Sequence, residues 1–202
     1  MKITYFGHSC FKLEENGFSV VIDPFKDVPG YQNVKTTADM VLCSHEHFDH
    51  NAVEGVKFKP SGKDNPFEIT MMQTYHDEEK GQKRGNNLVH IITCAKQKIV
   101  HLGDLGHLLN KKQLEFVKNC DLLLVPIGGT YTIDKEQAWQ TIKDVSPRVA
   151  VPMHYRNGNF GFENISTLAE FLTLTDRKTA ILIGNEFEIP NEKQLLLVPT
   201  IK

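Results

Sequence analysis

Long apolar runs are missing from this 202-residue chain. No stretch approaches the length of a transmembrane helix, and the N-terminal Met-Lys-Ile-Thr-Tyr-Phe-Gly-His lacks the apolar core of a secretory leader. We therefore expect a cytoplasmic protein with no membrane partner. Cysteine is scarce: Cys10, Cys43, Cys94 and Cys120 form no C-x-x-C pair, and three of them sit in or beside apolar runs. They read as small buried hydrophobes rather than disulfides or zinc ligands. Charge is nearly balanced at a formal −2, so no nucleic-acid partner is expected. Low-complexity segments, flexible linkers and short repeats are also lacking, and the length suits one domain spanning 1–202.

What the chain does have is concentrated in residues 40–51, Met-Val-Leu-Cys-Ser-His-Glu-His-Phe-Asp-His-Asn. A short apolar run leads into four potential metal ligands, His45, His47, Asp49 and His50. In an extended chain alternate residues project to one side, so a strand ending near Ser44 aims His45, His47 and Asp49 into one space. His50 joins them if the chain turns into a helix at Asn51. Four nitrogen and oxygen donors exceed what one tetrahedral ion draws from so short a loop, which points to two metals and further ligands from elsewhere. The competing reading is a solvated polar loop, but the pattern H-x-H-x-D-H arises by chance only about once in a thousand.

In chain order, Lys2 to Phe6, Cys10 to Glu14 and Phe18 to Ile22 read as strands, with Asn16-Gly17 as a hairpin turn. Further strands are expected at 67–75, 88–93, 98–102, 122–126, 148–152, 180–183, 186–189 and 195–198. Helices are expected at 111–118, 134–144 (Asp134 as N-cap) and 163–174. The charged segment Glu78 to Asn87, with Gly81 and Gly85, reads as an exposed loop. The ligand-capable residues His76, Asp104 and His154 each follow an expected strand, as the first cluster does, so loops at one end of the sheets can meet at a common site.

With these residues in view, the sequence resembles the metallo-β-lactamase superfamily. His45-x-His47-x-Asp49-His50, His76, Gly103-Asp104 and His154 occur in the family's order. Gly7-His8-Ser9, Asp23-Pro24, Tyr75-His76-Asp77, Arg84-Gly85-x-Asn87, Pro126-x-Gly128-Gly129 and Pro152-x-His154-Tyr155 are similar to the L-ascorbate-6-phosphate lactonase-like subgroup of small metal-dependent hydrolases. The resemblance implies an α/β fold, a four-layer αββα sandwich with the site along one edge. It implies that His45, His47 and His76 bind one divalent metal ion, that Asp49, His50 and His154 bind a second, and that Asp104 bridges them. Zinc is the first expectation for both ions, with manganese or iron as alternatives.

Two such ions hold a bridging water, lower its pKa toward about 7 and supply hydroxide to a carbonyl or phosphoryl centre. The expected function is hydrolysis of a small ester-like substrate, a lactone or phosphodiester, possessing in one version an anionic group; a homo-oligomer is left open. Asp49 is a candidate to orient the nucleophile and His8 to protonate the leaving group, although His8 serves equally as a turn cap. Asp23 is either a partner of a ligand histidine or a turn residue. Arg84 is read first as a solvated loop charge, then as a contact for an anionic substrate. His90 and His101 fit the core or a supporting role, His107 the surface and Trp139 the core. Gly128-Gly129 suit either a close backbone approach or a tight turn. The alternatives are a non-catalytic metal-binding or sensory module and, further off, a nuclease. A redox diiron protein is disfavoured, because His47 stands where a carboxylate is expected.

Overall fold

The computed structural model describes residues 1–201. Its strands are β1 (Lys2–Gly7), β2 (Cys10–Glu15), β3 (Phe18–Ile22), β4 (Thr36–Ala38), β5 (Met40–Leu42), β6 (Val56–Phe58), β7 (Glu68–Tyr75), β8 (Asn86–Cys94), β9 (Gln97–His101), β10 (Leu122–Pro126), β11 (Val149–Met153), β12 (Lys178–Ile181), β13 (Glu186–Phe187) and β14 (Leu195–Val198). Its helices are α1 (Lys111–Val117), α2 (Lys135–Val145) and α3 (Leu168–Leu172). One sheet has the order β13-β1-β2-β3-β5 and a larger one β12-β14-β11-β10-β9-β8-β7, while β4 and β6 form a small parallel ladder that the sequence did not announce.

Alternation along the strands builds the layers. Val20 and Ile22 of β3, Leu122 and Leu124 of β10, Val149 and Val151 of β11, and Leu195 and Leu197 of β14 face one another in the core between the sheets. Their neighbours Leu123, Val125, Ala150, Leu196 and Val198 turn the other way, onto a second core closed by Ala138, Ile142 and Val145 of α2 and Phe171 of α3. Strands buried on both faces carry the continuous apolar runs of a parallel sheet, and β10, β11 and β14 are parallel to one another. The outer face of the smaller sheet is covered by Phe25, Val28, Val34, Ala38 and Val56, from the loop after β3 and the β4–β6 region. The expected α/β sandwich is thus present, with one outer layer made mostly of loop.

Local sequence explains most boundaries. Asn16 and Gly17 both have positive φ (51° and 83°), as a two-residue hairpin of this type requires. Each α-helix opens with a reciprocal capping box: Asn110 with Gln113, Asp134 with Gln137, and Thr167 with Glu170. The last of these corrects the expected helix at 163–174, which begins only after Thr167. Its missing first part is drawn into a loop contact instead, where Asn164 Nδ2 donates to Tyr131 Oη at 2.7 Å and Thr130 Oγ1 donates to Asn164 O at 2.6 Å. The helix expected at Asn51 is also shorter than foreseen, a single 3₁₀ turn over Val53–Gly55.

Candidate metal centre

Four strand ends bring the donors together. β5 leads into His45–His50, β7 into His76, β9 through Leu102 and Gly103 into Asp104, and β11 into His154. The first of these does not work by strand alternation as expected. β5 stops at Leu42, and residues 44–50 follow a bend and a turn in which His50 and Asn51 N–H both donate to His47 O at 2.9 Å. That turn divides the motif: the donor atoms of His45, His47 and His76 lie within 4.8 Å of one another, as do those of Asp49, His50, His154 and His8. Asp104 joins the two sets. Its Oδ1 is 3.1 Å from His50 Nε2, and its Oδ2 is 3.3 Å from both His76 Nε2 and His154 Nε2.

The donors also pass a physical test for metal ions. His45 Nε2, His50 Nε2, His154 Nε2 and Asp104 Oδ1 are buried yet make no well-formed hydrogen bond to protein. Leaving a buried polar atom unpaired costs about 1–3 kcal/mol, so several converging on one point call for a shared partner. A divalent cation suits imidazole nitrogens and carboxylate oxygens directed inward.

A supporting framework orients these groups. Asp23, fully buried with φ of 48°, accepts from Ser44 N at 2.6 Å and Ser44 Oγ at 2.7 Å, and its Oδ2 lies 2.8 Å from His50 Nδ1. This is the ligand-histidine partnership raised for Asp23, and it leaves His50 Nε2 directed at Asp104. Asn87 is a site residue that sequence reasoning quoted only within a motif. Its Oδ1 accepts from Asp104 N–H at 2.8 Å, and its Nδ2 donates to Thr74 Oγ1 and Leu102 O at 2.8 and 2.9 Å. The only advance signal was its place next to a glycine-bearing loop. Gly128 allows a close approach, since a Cβ there would sit 2.2 Å from His154 O.

Charge follows from this packing. Burial pulls the His8 imidazole down to about 4 and that of His45 to about 3, so both are neutral donors at physiological pH. Burial works against ionisation of Asp104, but the neighbouring His154 and His50 outweigh it and hold the carboxyl well below the usual range. Burial likewise opposes protonation of His50, and Asp104 and Asp23 overcome it. Asp49 is also held low: its burial is offset first by the hydrogen bond with His8 and then by His50.

Not every expected residue lies at the surface of the site. His8 is fully buried, with Nε2 3.2 Å from Asp49 Oδ2, and it is not among the residues lining the cleft. His90 and His101 are fully buried beneath the site, with His101 Nε2 2.9 Å from Ser9 O. His107 is turned to structure, its Nε2 accepting from Tyr75 N–H at 3.3 Å. Arg84 departs from the solvated-charge reading, because it is half-buried in the cleft wall. The cleft, about 330 Å³, is lined by His47, Asp49, His76, Asp104 and Arg84 with the aromatic rings of Phe48, Tyr131 and Phe162.

Comparison with known proteins identifies the family. A family profile described as the Beta-lactamase superfamily domain matches residues 2–154. A UPF0173 metal-dependent hydrolase of Methanospirillum hungatei is 27% identical over 221 residues, covering 94% of this chain and 99% of the relative. One from Thermoplasma volcanium is 31% identical over 188 residues, covering 77% and 83%. Among solved structures, a Thermotoga maritima protein assigned to the Zn-dependent hydrolases of the metallo-β-lactamase superfamily superposes with a TM-score of 0.74 at 36% identity, over 98% of both chains.

Proposed function

The chain belongs to the metallo-β-lactamase superfamily of metal-dependent hydrolases, and on that premise we propose that it uses two divalent ions to hydrolyse a small ester-like substrate, a lactone or a phosphodiester. The observation that carries this reading is the convergence of buried, otherwise unpartnered donors in two sets joined by Asp104. His45, His47 and His76 would hold one ion, Asp49, His50 and His154 the other, and Asp104 both. Zinc is the first choice, with manganese or iron as alternatives. When bound, such a pair makes water acidic enough to react near neutral pH and polarises the substrate oxygen.

The chain's own residues prepare that chemistry. Asp104, held ionised between His50 and His154, supplies negative charge at the centre of the site. Asp49 lines the cleft, where its carboxylate would orient a water molecule for attack. Its Oδ2 lies 3.2 Å from His8 Nε2, a contact that fixes the orientation of the carboxylate. His8 acts through Asp49 rather than on the leaving group, because it is buried outside the cleft. A non-catalytic metal module predicts no room beside the ions, whereas the cleft of about 330 Å³ suits a small ligand.

The test is metal analysis of protein purified without chelator, followed by a screen of lactones, phosphodiesters, thioesters and β-lactams with zinc, manganese and iron forms. We expect two equivalents of metal, turnover of at least one ester class, and loss of that turnover in Asp49→Ala and His47→Ala. Substantially less than one equivalent after reconstitution refutes the metal site. Unchanged turnover in both variants refutes the catalytic assignment.

A further inference from the structure

One cation stands in the wall of the cleft. Arg84 lines both the cleft that holds His47, Asp49, His76 and Asp104 and an adjoining groove of about 410 Å³. Its backbone N–H donates to Asp77 Oδ2 at 2.8 Å, and Asp77 directly follows His76, so the loop carrying Arg84 is tied to the metal-centre strand. The guanidinium is positioned as well. Nη2 donates to Thr130 O at 2.8 Å, and the group lies 5.7 Å from the centre of the Tyr131 ring, which Asn164 fixes through its hydroxyl at 2.7 Å.

The acids nearby are otherwise engaged. Asp77 accepts from the backbone N–H groups of Glu79, Gly81, Lys83 and Arg84, Glu79 pairs with Lys83 at 2.5 Å, and Glu78 accepts from Gln137 at 2.8 Å. Arg148, by contrast, is bound to Asp121 at 3.0 Å. No ion pair among the described residues includes Arg84, and the carboxylates that line the cleft with it, Asp49 and Asp104, lie against His8 and against His50, His76 and His154 respectively, so a half-buried, pre-oriented fork of N–H donors faces the cleft unpaired. Planar guanidinium in that state is suited to a carboxylate or phosphate. Phe48, which is 49% exposed, together with Tyr131 and Phe162, offers an apolar wall beside it.

We propose that Arg84 is the specificity-determining residue for a substrate that carries an anionic group away from its scissile bond and an apolar or aromatic body against Phe48, Tyr131 and Phe162. This rests on the hydrolase reading for its kinetic consequence, but the binding itself does not require turnover. The anion meets the guanidinium while the scissile group is held at the metal donors that line the same cleft. A charge-assisted, forked contact of this kind is worth about 10- to 100-fold in binding.

The experiment compares dihydrocoumarin with a ring-carboxylated analogue on the zinc-loaded wild type, Arg84→Gln and Arg84→Lys, each checked for metal content and melting temperature. The expected result is a wild-type preference in kcat/KM for the carboxylated lactone, carried by KM, that falls about 10- to 100-fold in Arg84→Gln and less in Arg84→Lys. An unaltered preference in both variants overturns the proposal. A parallel calorimetric titration uses benzenesulfonate, which keeps ring and charge but is a weak metal ligand, against neutral benzyl alcohol. Benzenesulfonate binding that weakens at least about 10-fold in Arg84→Gln, beyond any change for benzyl alcohol, supports the anion site even if neither lactone is hydrolysed. In that case only the hydrolase reading fails. Absence of benzenesulfonate binding to the wild type, or equal binding to wild type and variants, overturns the anion site whatever the lactones do. If Arg84→Gln does not fold, the Arg84→Lys comparison decides between the same outcomes, because it keeps the charge and removes the fork.

Discussion

Replacing Asp23 by asparagine removes one buried charge while keeping the side chain's size, and the structure gives the consequence. The carboxylate faces donors on both oxygens: Ser44 N at 2.6 Å, Ser44 Oγ at 2.7 Å and His50 Nδ1 at 2.8 Å. An amide has one acceptor oxygen, so its NH₂ must face either Ser44 or His50. If it faces Ser44 N–H, a donor opposes a donor, at a cost of about 1–3 kcal/mol. If it faces His50, it donates to Nδ1 and drives the proton to Nε2, the atom 3.1 Å from Asp104 that is needed to ligate metal. Either arrangement weakens the set formed by Asp49, His50 and His154. We expect Asp23→Asn to lose about 10- to 100-fold in affinity for the second equivalent of zinc, the effect usual for such supporting groups. The metal-free protein should melt about 4–8 °C lower, for about 2 kcal/mol in a chain of this length. Competition titration against a chromophoric chelator and a thermal scan measure the two effects. Two equivalents bound with wild-type affinities would refute the reasoning.

Gly128→Ala should destabilise the fold by more than about 2 kcal/mol, because the new Cβ would lie 2.2 Å from His154 O; an unaltered chemical-denaturation midpoint would contradict it. Asp77, whose burial is outweighed by backbone N–H groups that hold its carboxyl at about 2, contributes stability that is present above its ordinary value of 3.8 and lost as pH falls through 3.8 toward 2. The melting temperature of Asp77→Asn should therefore lie below wild type at pH 7 and converge on it near pH 2. The thiols should be unreactive in the native state, since Cys10, Cys94 and Cys120 are buried, and burial with Asp23 nearby pushes Cys43 up to about 12. Thiol titration should find little reaction at pH 8 and all four groups after denaturation without reductant.

Residue type and local spacing were enough for much of this protein. The hairpin at Asn16-Gly17, the apolar runs of β10 and β14, and the Asp134 cap are set by interactions within a few residues, so they are visible in the chain itself. The proposed donors His45, His47, Asp49, His50, His76, Asp104 and His154 could likewise be named from residue type, since imidazole and carboxylate are the groups a metal site would use whatever their path, and the fold brings them into neighbouring groups. Local reasoning failed where distant contacts decided. Residues 163–166 are not helical because Asn164 is recruited by Thr130 and Tyr131, and no helical periodicity can announce that. The 45–50 segment feeds two donor sets because it turns at His47 rather than continuing β5, and backbone bonds from Lys26 N–H to Phe48 O and from Ala52 N–H to Pro24 O tie that turn to the distant loop after β3.

The sequence by itself therefore determined which chemistry is available, because ligand identity and strand propensity are properties of single residues and near neighbours. Only the tertiary structure decided how that chemistry is arranged. Asp23 reaches His50 across 27 residues, Asn87 fixes Asp104 across 17, and Arg84 is positioned by Thr130 across 46. Each of these contacts forms only when separate strand ends are brought to one edge by burial of the two cores, a constraint that resides in the packed whole and in no local stretch of chain.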